Sequence, residues 1–175
     1  QLGPAEIPPK RNWLNEYCFR YAALNGFKYN PPKKHPFNPL AALRMSLKEV
    51  SGDAQLRVID SIFEEGWSHG ADLGDLSTLT SLLTRQSIDG ETLSKKVSES
   101  EIKELLIDET TYAIEKGVFG VPTIIIDDNL FWGNDQMDHI ELLLDGKDPL
   151  DRERLNDQER PRAIDRKAFK KQDKE

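Results

Sequence analysis

The sequence predicts an α/β chain that is mostly helical. Three observations carry the prediction: six stretches with apolar residues at helical spacing between Arg11 and Gly117, a run of β-branched residues at Thr123–Ile126 with a second short strand behind it, and one amphipathic helix before Gly146. Two short strands among this many helices cannot make a large sheet on their own.

Taken in order, Arg11 to Asn25 reads as a helix with Trp13 or Leu14, Tyr17, Cys18, Tyr21 and Leu24 on one apolar stripe, ended by Gly26. Asn30-Pro31-Pro32-Lys33-Lys34-His35-Pro36 follows as an extended linker, because each proline pushes its predecessor out of the α region. Asn38 caps a second helix with Pro39 in its first turn, running to about Val50. Asp53 caps a third, with Leu56, Ile59, Ile62, Phe63 and Trp67 inward. Asp75 starts a fourth through Leu82 and Leu83, and Asp89 or Glu91 a short fifth. Glu99 or Ser100 opens a sixth, with Ile102, Leu105, Leu106 and Ala113 on its buried face and Gly117 at its end.

The segment Lys116–Asp135, KGVFGVPTIIIDDNLFWGND, is the most informative of the chain. Val121-Pro122 directly precedes four β-branched residues whose stiff side chains suit a fully buried strand. A proline cannot donate to a ladder, so Pro122 belongs at the strand's beginning, where a cis bond is affordable. A cis bond there turns the Val121 N–H and C=O outward, free to pair with an extended peptide. Asp127-Asp128-Asn129 makes a tight turn, Leu130-Phe131-Trp132 returns as the partner strand, and Gly133 breaks it. Asn134 or Asp135 then caps a helix with Met137, Ile140, Leu143 and Leu144 on one face and Gly146 as its stop. The free N–H groups of such a helix start attract a carboxylate, and Asp135 beside them attracts an ammonium, so a zwitterionic amino-acid head group satisfies both.

Composition narrows the function classes. With a net charge of −7 and 31% charged residues, the chain lacks the basic face that nucleic-acid phosphates demand. No apolar run approaches the roughly 20 residues needed to span a bilayer. Cys18 is the single cysteine, which excludes an internal disulfide or a Cys-x-x-Cys pair within these residues and fits a reducing, cytoplasmic setting. On the apolar stripe of its helix, Cys18 reads as a small buried hydrophobe rather than a nucleophile. His35, His69 and His139 have no ligand-like spacing and no obvious partner, so no metal site is expected.

GVFGVPT followed by LFWGNDQMDHIELLL resembles the C-terminal quarter of the 2-hydroxychromene-2-carboxylate isomerases and the related kappa-class glutathione transferases. Upstream, Ile7-Pro8-Pro9-Lys10, the run Asn38-Pro39-Leu40-Ala41-Ala42-Leu43-Arg44, and Phe63 through Trp67 with Asp72 and Leu73 resemble that family's helical insertion. The resemblance implies a DsbA-like thioredoxin fold in which helices are inserted between βαβ and ββα halves. On that template, residues 1–118 are the helical insertion, 119–147 the C-terminal ββα half, and 148–175 a charged, loose tail with too little apolar surface to order. The family's opening βαβ unit, which carries a Ser-Pro-Tyr strand, has no counterpart after Gln1; the expectation is an N-terminally incomplete chain whose catalytic residue lies on the missing segment.

The resemblance also implies glutathione as cofactor, laid along Val121 and Pro122, with its γ-glutamyl end at Asn134 and Asp135 and its glycyl carboxylate on Lys10. Phe119 and Trp132 would wall the pocket of a small aromatic substrate. Relatives often pair as homodimers, which leaves that option open for this chain. The implied activity is a glutathione-dependent isomerisation or transfer, by thiol addition to and elimination from an unsaturated aromatic compound. The alternatives are a thiol-disulfide oxidoreductase of the DsbA-like superfamily with its Cys-x-x-Cys upstream, or a non-catalytic helical fragment.

Overall fold

A computed structural model describes residues 6–157. The chain divides after Lys116 into two compact units. The first unit is all helical: α1 (Pro8–Leu24), α2 (Leu40–Met45), α3 (Lys48–Ser51), α4 (Gln55–Phe63), α5 (Leu76–Arg85), α6 (Gly90–Lys96) and α7 (Ser100–Glu115), with a π-helical turn at Glu64–Ser68. The second holds an antiparallel hairpin of β1 (Thr123–Ile126) and β2 (Asn129–Trp132), then α8 (Met137–Leu144) and α9 (Arg152–Asn156).

The core of the first unit sits where α2, α4, α5 and α6 meet. Met45, Val58, Leu79, Leu82 and Leu83 are fully buried there. Each such side chain contributes about 1.5–3 kcal/mol by leaving water. Gly90 lets α6 approach α5 closely, since a Cβ at that position would run into the Thr80 carbonyl oxygen. Acidic caps fix where these helices begin. The Asp75 carboxylate accepts from the Thr78 amide at 2.9 Å and from the Ser77 and Thr78 hydroxyls at 2.6 and 2.7 Å. These bonds hold its pKa down from 3.8 to about 2. Asp89 does the same for α6 through the Thr92 amide and hydroxyl, which lower its pKa as well.

Several sequence expectations are corrected. The α1 stripe is not buried: Ala22 is its one buried residue, while Trp13, Tyr17, Tyr21 and Leu24 are exposed and Cys18 is half-buried. Trp13, Tyr17 and Tyr21 instead lie against one another along the helix surface, one turn apart. The second predicted helix is two, because Leu47 is extended (φ −67°, ψ 142°) between α2 and α3. Asn38 does accept from the Leu40 amide at its start. Asp53 caps nothing; it lies in a short 3-10 turn and pairs with Lys48. The α4 stripe is rotated: Val58, Ser61 and Ile62 are buried, and Leu56 and Phe63 face water. Ile102, Leu105, Leu106 and Ala113 are the less exposed side of α7, yet half-buried at most.

In the second unit the β1 strand is not fully buried. Thr123, Ile124 and Ile126 are half-buried and Ile125 is 42% exposed. The reason is the sheet itself, which has two strands among the described residues and leaves one edge of β1 without a neighbour. Ile140 of α8 is the one buried apolar residue of this unit among those described; Met137 and Leu144 are exposed. Residues 151–156 are not loose: the Asp151 carboxylate accepts from the Arg154 amide and starts α9. The remainder of the predicted tail, 158–175, lies outside the described residues.

Candidate functional site

One end of the hairpin gathers four of the five residues expected to hold glutathione. The Val121–Pro122 bond is cis. The ladder runs Thr123 opposite Trp132 and Ile124 opposite Phe131, and beyond it the Gly133 amide donates to the Pro122 carbonyl at 3.0 Å. That last bond ties the approach to β1 to the turn that carries Asn134 and Asp135. Val121 is 86% exposed, and neither its N–H nor its C=O is hydrogen-bonded among the described residues. The carbonyl just before it, on Gly120, is occupied by the Thr123 hydroxyl at 2.6 Å.

Asn134 and Asp135 do not cap a helix, contrary to expectation. Gly133 is the N-cap of a 3-10 turn, Asn134–Gln136, that runs into α8, and neither that turn nor α8 has a side-chain cap. The amide of Asn134 and the carboxylate of Asp135 make no hydrogen bond or ion pair with another described residue. A capping role would have accounted for an amide and an acid at these two positions. With that role unfilled, both groups are free to meet a ligand. Gly133 makes the arrangement feasible: its φ of +110° suits glycine alone, and a Cβ there would collide with the Asp135 carboxylate, which folds back over it.

Phe119 and Trp132 stand beside this corner as an aromatic pair, ring centroids 5.2 Å apart and tilted by 56°. Both are largely exposed. Trp132 rests on Gly120, where a Cβ would lie 2.5 Å from the indole nitrogen. Lys10, the fifth expected contact, belongs to the first unit, in the opening turn of α1, with an exposed side chain. On the other side of β2 a cavity of about 420 Å³ is lined by Phe131, Gln136, His139 and Arg152, among others. His139 has a partner after all, its Nδ1 lying 3.1 Å from the Gln136 side-chain oxygen. Arg152 of α9 donates to the Asn129 side-chain oxygen. The sequence marked Gly133 as a strand breaker, not as the residue that shapes this corner, and did not single out Gly120; a glycine directly before Val-Pro and another directly before Asn-Asp were the available signal. Among the described residues no group of three or more His, Cys, Asp and Glu side chains could hold a metal ion. No helix of the described residues is long and apolar enough to cross a membrane.

Comparison with known proteins defines the class. Residues 1–145 match the family described as DSBA-like thioredoxin domain. The chain belongs to that family, and its mostly helical build with a small hairpin is the DsbA-like thioredoxin fold with a helical insertion. Its particular relatives are 2-hydroxychromene-2-carboxylate isomerases. It is 31% identical to the one from Pseudomonas putida over 146 residues, covering 80% of this chain and 69% of that one. It is 29% identical to the one from Sphingobium xenophagum, covering 81% and 73%. The solved structure of a 2-hydroxychromene-2-carboxylate isomerase aligns with a TM-score of 0.72 at 23% identity, covering 83% of this chain and 71% of that one, a likeness of fold.

Proposed function

We propose that this chain carries the glutathione-holding corner of a glutathione-dependent isomerase of the 2-hydroxychromene-2-carboxylate type. The observation that carries the reading is the Gly133–Pro122 hydrogen bond, which sets the unpaired main chain of Val121 beside two polar side chains that have no structural employment. That the relatives are 2-hydroxychromene-2-carboxylate isomerases supports the choice of reaction.

The residues fit a cysteinyl tripeptide by their chemistry. The Val121 N–H and C=O offer one donor and one acceptor to an extended peptide, as the edge of a sheet does. The Asp135 carboxylate neutralises an α-ammonium, and the Asn134 amide donates to an α-carboxylate. Phe119 and Trp132 present aromatic faces on which a flat substrate ring can stack. When bound, glutathione supplies a thiol able to add to, and later leave, an unsaturated substrate. The chain's own part is to hold the tripeptide backbone fixed, so that less entropy is lost when the substrate arrives. A glutathione-using protein belongs in a compartment where thiols stay reduced, which is the cytoplasmic reading of the lone Cys18.

A dithiol oxidoreductase is the less economical reading, because it has no use for a paired acid and amide shaped to an amino-acid head group. The test is a titration of the full 175-residue chain with reduced glutathione. Replacing Asp135 by Ala is expected to weaken binding by about 1–3 kcal/mol, the range for a lost charge-assisted hydrogen bond. Equal affinity in the two proteins would reject Asp135 as a ligand contact.

A further inference from the structure

The family match covers residues 1–145, and beyond it the described chain turns back toward the hairpin. Local chemistry lays that path. The end of α8 is closed by a complete glycine cap: Gly146 takes φ +68°, its amide donates to the Leu143 carbonyl at 3.0 Å, and the Lys147 amide donates to the Leu142 carbonyl at 2.8 Å. The Asp148 carboxylate then accepts from the Leu150 amide at 3.1 Å, Pro149 between them fixes its own φ, and Asp151 caps α9 through the Arg154 amide at 2.9 Å. Arg152, the first residue of α9, is thereby carried to β2, where its guanidinium donates to the Asn129 side-chain oxygen. The cavity of about 420 Å³ lies between the two segments, with Leu130 and Phe131 from the hairpin and Pro149 and Leu150 from the returning chain.

The hairpin turn is what needs holding. Asn129 pairs with Ile126, which leaves Asp127 and Asp128 as a two-residue turn. Such turns favour glycine where φ is positive, and Asp127 sits at φ +51°. Two adjacent carboxylates at the tip also repel each other, and Arg152 brings a positive charge to the cavity that Asp128 lines. The Asn129 amide nitrogen donates to the Ile126 carbonyl at 3.3 Å. Guanidinium, Asn129 side chain and Ile126 carbonyl thus form one chain of hydrogen bonds across the turn, each polarising the next. A hairpin of two strands is marginal by itself, and a slip of one residue turns every side chain of a strand to the other face. At the far end of β2 that slip would lift Trp132 from Gly120 and part Gly133 from Pro122.

We propose that residues 147–156 are a strap that sets the register of the hairpin, with Arg152 as a positioning residue acting through Asn129 on the corner of Val121, Gly133, Asn134 and Asp135. Arg152 acts there without touching it. From Asn129 to Trp132, β2 carries the constraint over about 10 Å. The strap stands on the hairpin geometry; only its consequence for glutathione rests on the proposed function.

Hydrogen exchange of the Gly133 amide reads the register directly, because that amide donates to the Pro122 carbonyl. In the full chain, Arg152→Gln should speed this exchange about fivefold and Asn129→Ala at least as much. The double variant should exchange no faster than Asn129→Ala, because both substitutions cut one link. Arg152→Lys keeps a cationic donor and should stay within about twofold of the parent. Exchange of the Leu82 and Leu83 amides in α5 should move in none of these variants, which separates a local strap from general loss of stability. Reduced glutathione should bind Arg152→Gln about threefold to tenfold more weakly than the parent, with Arg152→Lys close to the parent. Unchanged Gly133 exchange in Arg152→Gln, or substitutions whose effects add in full, would overturn the strap. Faster exchange with parent-like glutathione affinity would overturn the positioning role. Faster exchange in the variant, with a parent that does not bind glutathione, would support the strap and remove the glutathione reading instead.

Discussion

Leu82-Leu83 in α5 and Ile124-Ile125 in β1 are equally apolar in sequence, yet the first pair is fully buried and the second is half-exposed. Helices of the first unit cover one another and share one cluster of buried side chains. The hairpin of the second unit has one helix with a buried residue and an unpaired strand edge among the described residues. The difference separates two kinds of work. Residues of the α5–α6 region hold structure together, whereas those around Val121, Gly133 and Asp135 keep polar groups and aromatic faces available, as a ligand-binding corner requires.

The largest effect that would sharpen this contrast is Leu82→Ala. Loss of a fully buried leucine should destabilise the chain by about 2–5 kcal/mol in chemical denaturation, against under about 1 kcal/mol for Ile125→Ala in the hairpin. Equal costs would mean that β1 is buried in solution in a way this structure does not describe. Next comes Gly90→Ala, whose added methyl faces the Thr80 carbonyl and should cost about 1–3 kcal/mol by forcing α5 and α6 apart. An unchanged midpoint would deny that the close approach matters.

Asp75→Ala should act through pH. The folded carboxylate titrates at about 2 rather than its ordinary 3.8, so the cap stabilises above about pH 4 and is lost as pH falls toward 2. The variant should therefore melt below the parent at pH 7, with the gap closing between about pH 4 and 2. A gap independent of pH would assign the effect to something other than the charged cap. Smallest of all is Leu56→Ala, at 74% exposed, expected within about 0.5 kcal/mol of the parent.

Local chemistry was the legible part of the sequence. Asp75 and Asp89 could be read as caps because the bond they make spans three residues, and Gly26, Gly117 and Gly146 as stops because positive φ is a local demand. Periodicity told where α1 and α4 run but not which side faces the core. On α4 that side is set by Val58 meeting its neighbours, not by Leu56, and on α1 the aromatic stripe is exposed while Ala22 is buried. The hairpin followed from β-branching and the Asp-Asp-Asn turn, although Asn129, read as part of the turn, pairs with Ile126 as the first residue of β2. The release of Asn134 and Asp135 from capping did not, because it depends on Gly133 taking the cap position and on the hydrogen bond from Gly133 to Pro122. The contact of Arg152 with Asn129 was hidden for a similar reason: the two lie 23 residues apart, and only folding brings them together.

The most direct check on the hairpin corner is residue-resolved NMR of the full chain during addition of reduced glutathione. The account predicts saturable shifts centred on the amides of Val121, Gly133, Asn134 and Asp135, weakened by Asp135→Ala. Glutathione that leaves those four amides unmoved at millimolar excess, or moves resonances only in the helical unit, would contradict it.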